Sequence, residues 1–590
     1  MSVSATSISD QPSRDSARES LARDDALNTT NISTHVLRSD RLGTLVRRLS
    51  SDLSSSLSWE DFVRDLCGRS YLSAGLEGID HPAIPLLQHW RDYGVPVLSS
   101  EDPWSVKTKD QCILQGCHQS ATLHSDFLRE EMTEFIESGF WAVLPYRQVQ
   151  DPPALMLSPA AVKEERERNT CVLCNHSWSP VNATTLPYAP PKAMQFGRTL
   201  HRLLCRLQHS DPKYGPVYMA KFNIKDRFYR MFLAPANSPR LAIILPRYNG
   251  EDQLVALPLA CTMGWTQFPP TFCAMLETIT DLTNGRLKAK PSSLPAGPHR
   301  LDPHAQVQDA FTAWTLVARD LSGCHEQPAV SNAAYKLPIT HANVFMNDFI
   351  LLGQGTLTRL GWMRRHLLHA VDAILDSACA GKSRNEVISI KKLAKGDGSW
   401  ATRKLILGWE LDSVRQTLEL PTHCRDLCLL LLEDLLKAKR IGAKQWASAL
   451  GKLRFISYAV PGSATLFSCL QSAQNLGRTS GRIRITADVL AALTAFRLLV
   501  RDLGDRPTYL AKIVPKNPLL LGATDTAKQG MGGVFFTSDS AAYLWRHPFP
   551  QEVQSRLVSA AHPTGTVTNS DLEHAGLLGQ LSVMTLVANL

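Results

Sequence analysis

Residues 341–355 read HANVFMNDFILLGQG: an apolar run meets one Asn-Asp pair and then becomes apolar again. A connection this short lets two strand-like runs do little but fold back on each other as an antiparallel hairpin. The stretch reads as two strand-like runs with Asn347 and Asp348 at the turn between them. Asn and Asp both tolerate turn geometry, so this stretch alone is compatible with an ordinary hairpin. The alternative is a chemical role for the carboxylate, and then the amide beside it needs a reason.

The rest of the chain supplies context for that hairpin. Apolar spacing predicts helices from SWEDFVRDL (58–66) to FLREEMTEFIESGFW (127–141), with Ser58 or Asp126 as caps. The stretches 154–159 and 171–182 look extended, 193–209 reads as an amphipathic helix, and 215–224 is rich in strand formers. RLAIILPRY and LVALPLA read as hairpin arms around NGED, and a helix is expected after Phe268-Pro269-Pro270 over 271–282. Residues 285–335, rich in Pro, His and Ala, read as an irregular insertion. A helix follows over 356–378, then strands in EVISIKKL and KLILGWELD, then helices over 425–440 and 446–460. From 518 to 548 the pattern changes to a buried strand carrying Asp525, a Gly-rich turn and alternating strands.

Residues 1–55 are rich in Ser, Asp and Arg and poor in large apolar side chains. Such a segment buries too little surface to offset its ordering entropy, so a disordered tail is expected there. No apolar leader follows the start and no run of about 18 apolar residues occurs, which points to an intracellular protein without a membrane span. A formal charge of +9 permits a polyanionic partner without requiring one. The 13 cysteines are odd in number and scattered, as in a reducing compartment. Cys171, Cys174 and His176, and likewise Cys112, Cys117 and His118, have no second pair at zinc spacing, so they are expected to be buried thiols rather than a metal site.

Four phrases in order, VYMAKFNIKDRFYRMFL, LPLACTMGWTQFPPTFCAML, NVFMNDFILL and KLILGWELD, resemble the motifs of reverse transcriptases. More narrowly the chain resembles, over about residues 56–590, the reverse transcriptase and RNase H region of retrotransposons of eukaryotic microbes such as oomycetes and fungi. The phrases AMQFGRTLHRLL, GKLRFISYAVPGSATLFS and NSDLEHAG share in that resemblance. It implies an α+β right-hand polymerase (fingers, palm, thumb) followed by an incomplete RNase H-like α/β unit. The implied divisions are a tail at 1–55, a helical N-terminal region at 56–150, fingers and palm at 151–415, a helical thumb at 416–510 and the RNase H-like unit at 517–590.

Nucleotide addition in that family is a two-metal phosphoryl transfer, with Mg²⁺ or Mn²⁺ held by carboxylates. The resemblance implies one metal-binding Asp at position 223 and two at 347 and 348. This chain has Asn223, Asn347 and Asp348, so the cluster carries one negative charge rather than three. The Arg that grips the incoming triphosphate falls at Cys171, and a thiol makes no bidentate contact with phosphate. Asn175, Arg227 and Phe268 stand where Asp, Gly and Ser are usual. Asp226, Phe228, Gly264 and Trp265 keep the family pattern for nucleotide and template contacts. In the last unit Asp525 and Glu573 match the first two RNase H acids, and the sequence stops before a third, so RNA cleavage is not expected.

Each exchange is one C-to-T or G-to-A transition from the usual residue, as in a copy decayed by cytosine deamination. The resemblance thus implies an RNA/DNA primer-template partner and a family of RNA-directed DNA polymerases, with catalysis lost in this copy. An enzyme that tolerates the amides, and a non-enzymatic interaction protein that inherited the fold, remain open at this point.

Overall fold

The computed structural model describes residues 37–67, 71–150, 154–165, 168–188, 198–225, 227–288, 297–305, 337–375, 386–461, 463–477, 481–514, 521–536, 541–559, 562 and 564–588. Residues 1–36 and most of the expected insertion at 285–335 lie outside them. Helices and sheets are mixed, and the chain falls into two compact units, Met1–Leu510 and Ala511–Leu590.

The expected tail at 1–55 is too long. Asp40 caps a helix Arg41–Ser55 by accepting from the Gly43 amide, and the helix buries Leu42, Val46 and Leu49. Those residues recur at helical spacing, so one apolar stripe survives among the serines and arginines. Arg129 fastens this helix to the fold, donating to Asp40 and, at 2.8 Å, to both carboxylate oxygens of Glu251, beneath the Tyr248 ring. Farther on, Asp126 sits in the first turn of the helix Ser125–Glu137, whose N-cap residue is His124, so Asp126 is not the cap.

Nor is 56–150 purely helical. Trp141–Pro145 is a fully buried strand that opens a five-stranded sheet in the order Trp141–Pro145, Leu254–Pro258, Ala242–Ile244, Leu157–Glu165, Arg168–Cys174. The runs WAVLP and LVALP are apolar at nearly every position because both of their faces are covered. One apolar core runs from Leu42 to Trp400 and joins the N-terminal helices to this sheet.

The hairpin belongs to a second sheet, three antiparallel strands in the order Tyr218–Asn223, Asp348–Gly353, Thr340–Phe345. Helices Phe268–Lys288 and Leu357–Ile374 back it: a Cβ on Gly353 would stand 2.6 Å from a Leu360 methyl and 2.8 Å from the Met363 sulfur. The edge strand is closed by side chains. Asn284 bonds both the N–H and the C=O of Ala342 (2.8 and 2.9 Å), and Thr199 donates to the Val344 carbonyl (2.9 Å). These bonds satisfy backbone groups that a bare edge would leave open.

EVISIKKL is not a strand. Only Ile388 pairs, with Ile224, and the chain then turns into the helix Ile390–Ala394. The partner strand ends at Asn223, so the β-branched run finds almost nothing to pair with. KLILGWELD does form two strands, Arg403–Ile406 and Trp409–Asp412, in a sheet with Thr417–Glu419 and Thr508–Tyr509. The region 416–510 therefore combines strands with the helices Thr422–Lys437, Ala443–Ser457, Phe467–Leu476 and Ala487–Asp505.

In the second unit the strands Leu521–Ala527, Gly530–Phe536 and Ala542–Pro548 form an antiparallel sheet carrying the helix Asn569–Ala588. Gln580 stitches that helix down, accepting from the Trp545 indole (2.6 Å) and donating to the Val534 carbonyl (3.2 Å). The strand expected to be buried is mostly exposed, Asp525 included, because the helix meets only one face of this sheet.

Candidate functional site

The two loop residues of the hairpin are Met346 and Asn347, closed by the pair Phe345–Asp348. Met346 has φ 52°, a left-handed conformation at the first loop position that Gly usually fills in hairpins of this length. A side chain there is strained, and such strain persists only where the surroundings impose it. They do so here: the Ile224 amide, just past the neighbouring strand, donates to the Asn347 carbonyl at 2.9 Å and pins the hairpin tip.

Asn223 and Asp348, 125 residues apart, stand opposite each other in register on adjacent strands. The Asn223 amide donates to Asp348 Oδ1 at 2.5 Å. Asn223 is 5% exposed and Asn347 8%, and the Asn347 side-chain nitrogen is buried without a hydrogen-bond partner among the described residues. All three residues expected at the centre therefore lie at one end of this sheet. Their donor set does not fit a two-magnesium centre. Mg²⁺ takes oxygen ligands and favours carboxylates, whereas here a single carboxylate already accepts from an amide. Among the described residues no group of three or more His, Cys, Asp or Glu side chains could hold a metal ion.

Gly264 and Trp265 form a tight loop against the five-stranded sheet. Gly264 has φ 102°, and a Cβ there would lie 2.1 Å from the Cys174 carbonyl oxygen, so only glycine fits. Trp265 is 2% exposed, with its indole donating to Thr185 (3.3 Å). Asn182 clamps the loop, donating to the Gly264 carbonyl (2.8 Å) and accepting from the Thr266 amide (3.0 Å). Sequence reasoning missed Asn182, since nothing local distinguishes it from any other Asn in a short polar stretch. It also missed Arg230, 1% exposed, which donates to the Glu386 carbonyl (2.9 Å) and lies over the Tyr71 ring.

Cys171 lies in the five-stranded sheet, opposite Lys163, rather than in the sheet of the hairpin. Asp226 lies outside the described residues, as does the side chain of Phe228, whose backbone belongs to the short turn Arg227–Arg230. Phe268, where the resemblance implies Ser, is a core anchor, 2% exposed against Phe272 at the start of its helix. In the second unit Asp525 and Glu573 are both exposed. Thr524 and Thr526 are the strand side chains that meet the helix at Gly576, and alternation places Asp525 on the opposite face.

The cysteine-histidine phrases are occupied by ordinary packing. His118 caps a short helix through Ser120, and the Cys117 thiol meets Thr122 at 3.5 Å. His176 is fully buried, with Nδ1 at 3.0 Å from the Ser158 hydroxyl and Nε2 at 3.3 Å from that of Thr262. Burial pushes its pKa down to about 3 and that of the neighbouring Cys174 thiol up to about 12. Because the folded His176 resists protonation while an unfolded His takes a proton near pH 6.5, stability falls as pH drops from 6.5 toward 3. Between pH 7 and 5 the wild type should lose about 2 kcal/mol more than His176→Gln, read from urea midpoints at the two pH values. Equal losses would mean that the ring is accessible to solvent.

No family model and no curated protein matches the chain. Among solved structures it is similar to a foamy viral protease-reverse transcriptase in complex with dsDNA, at 12% identity and a TM-score of 0.39, covering 84% of this chain and 82% of that one. A second foamy viral structure, the protease-reverse transcriptase dRH with ds DNA, is similar at 11% identity and a TM-score of 0.40, covering 84% and 69%. Among the described residues no helix is long and apolar enough to cross a membrane.

Proposed function

We propose that this chain is a retrotransposon-derived, reverse transcriptase-like protein of right-hand polymerase architecture that no longer adds nucleotides. One observation carries the reading. Three positions picked out by motif order, Asn223, Asn347 and Asp348, lie together at the end of one small sheet, which is where a polymerase of that family holds its metal-binding acids. The strained tip at Met346 supports it, because a hairpin of no chemical consequence gives no reason to keep a non-glycine residue there.

The loss of catalysis follows from charge. Two metal ions bridging an attacking hydroxyl and a triphosphate need anionic oxygens on the protein side. The centre offers one carboxylate, which an amide already engages. Asn223 and Asp348 hold one another instead of holding metal. Cys171 likewise supplies no cation for a triphosphate. An RNA/DNA primer-template is the proposed partner, bound without turnover.

Primer extension tests the reading. With Mg²⁺ or Mn²⁺ and a labelled primer-template, the wild type should give no incorporation above an Asp348→Ala control. Incorporation that Asp348→Ala abolishes would overturn the assignment of inactivity while keeping that of the site.

A further inference from the structure

Between Asp434 and Asp488 the chain carries nine basic residues (Lys437, Lys439, Arg440, Lys444, Lys452, Arg454, Arg478, Arg482, Arg484) and not one acidic residue. The fold gathers part of this charge onto a two-stranded ribbon, Arg440–Gly442 paired with Arg482–Arg484. Arg440 stands directly opposite Arg484, and Gly442 opposite Arg482. Ile441 and Ile483 are buried on the inner face, so alternation sends Arg440, Arg482 and Arg484 to the outer one, where all three are exposed. Ile483 packs so closely over Gly477 that a Cβ there would stand 2.1 Å from its Cδ1, which fixes the ribbon's orientation. Further backbone bonds, Ala443 to Gly481 (2.9 Å) and Ile485 to Lys439 (3.2 Å), hold its ends.

Like charges directly across a strand pair are unfavourable, and the segment contains no carboxylate to offset them. Nothing in the apolar packing calls for arginine on the outer face. Gly442 contributes no side chain, and a Cβ there would meet nothing within 4 Å, so the ribbon is open at that position. Arg482 and Arg484 are about 6.6 Å apart along the strand, at roughly 3.3 Å per residue. Exposed Lys437, Lys439 and Lys444 extend the positive surface on either side of Arg440. Beside the ribbon lies a cleft of about 450 Å³, lined by Arg482, Arg484, Ser472, Thr486 and Leu476, with Asp488 its one carboxylate. Among the described residues no aromatic side chain lines the cleft to stack a base. The surface offers planar, bidentate donors to an anion of repeating charge.

We infer that the Arg440/Arg482/Arg484 face of this ribbon is a docking site for the phosphate backbone of nucleic acid, read without regard to sequence. The inference rests on the proposed function for its partner class, and it locates that partner's contact on a surface remote in sequence from Asn223 and Asp348. Phosphate contacts of this kind show as salt dependence, because each one releases condensed counterions.

The test uses the full chain and a fluorescein-labelled duplex DNA, with Kd measured between 50 and 200 mM salt. Arg440→Ser, Arg482→Ser, Arg484→Ser should weaken binding about tenfold or more and lower the slope of log Kd against log salt by about 2 to 3. The melting temperature should stay near that of the wild type, since all three side chains are exposed. Lys391→Ser, Lys395→Ser, which removes exposed charge elsewhere, should leave the affinity within about twofold. A triple variant with the wild-type slope would overturn the ribbon assignment while the wild type's own binding still supports a nucleic-acid partner. A wild type that binds no DNA would remove the partner and the inference together. Neither outcome depends on primer extension.

Discussion

Asn223→Asp, Asn347→Asp, Cys171→Arg should extend a primer where the wild type does not, by at least about a hundredfold over background, a difference of ~2.7 kcal/mol in transition-state stabilisation. Each change restores one missing element. Asp at 223 and 347 would raise the cluster from one carboxylate to three on a framework that already brings the positions together. Asp at 347 would also replace the amide whose nitrogen is buried without a partner, so the site loses an unsatisfied donor as it gains a ligand. Arg at 171 would return a bidentate cation for the triphosphate. Phe268 should be left alone, since it now fills core space against Phe272, and a serine there would open a cavity. The three changes act as one unit, so single revertants should each remain near background. A folded triple variant that still binds primer-template and incorporates nothing would show that the defect lies elsewhere.

The candidate hairpin was legible in the sequence because its features are local. An apolar run, a polar pair and another apolar run can be read without knowing the fold, and the second position at 223 lies at the end of another strand-like run. What the strands pair with is not local. EVISIKKL has the composition of a strand but reaches a neighbour that has already ended at Asn223. The helix Arg41–Ser55 hides its stripe of Leu42, Val46 and Leu49 among polar residues, and only its seat against the rest of the fold brings the stripe out. Asn182, Asn284 and Arg230 act through backbone groups distant in sequence, so composition and periodicity give no sign of them. The arginine ribbon was missed for the same reason. Its two strands are separated by two helices, and their pairing alone puts Arg440 beside Arg484.

Asn223→Asp alone should convert a metal-indifferent protein into a metal-responsive one. In the wild type the strands meet through an amide donating to a carboxylate, a contact that is satisfied at neutral pH without any cation. An aspartate at 223 would face Asp348 across the same register pair as a second acceptor with no proton between them. Two carboxylates so placed cannot both ionise comfortably, and one pKa rises. An acid whose folded pKa is raised is unfavourable in its charged form, so the loss of stability is full at neutral pH and relieved as pH falls toward the unfolded value near 4. Replacing a buried, satisfied contact by an unsatisfied one costs about 1–3 kcal/mol. A divalent cation binding between the two carboxylates would offset most or all of that, by about 2.7 kcal/mol at a hundredfold excess over its Kd. The expected result is therefore a variant that melts below the wild type in EDTA at pH 7, matches it more closely at pH 4.5, and rises with added Mn²⁺ while the wild type does not move. A variant as stable as the wild type in EDTA and unresponsive to Mn²⁺ would mean that residues 223 and 348 do not share a site. Because melting needs no substrate, this measurement separates the geometry of the centre from its chemistry. A hairpin that held metal only after this one amide became an acid would support the proposed reading, in which an amide stands where a metal-binding acid is expected.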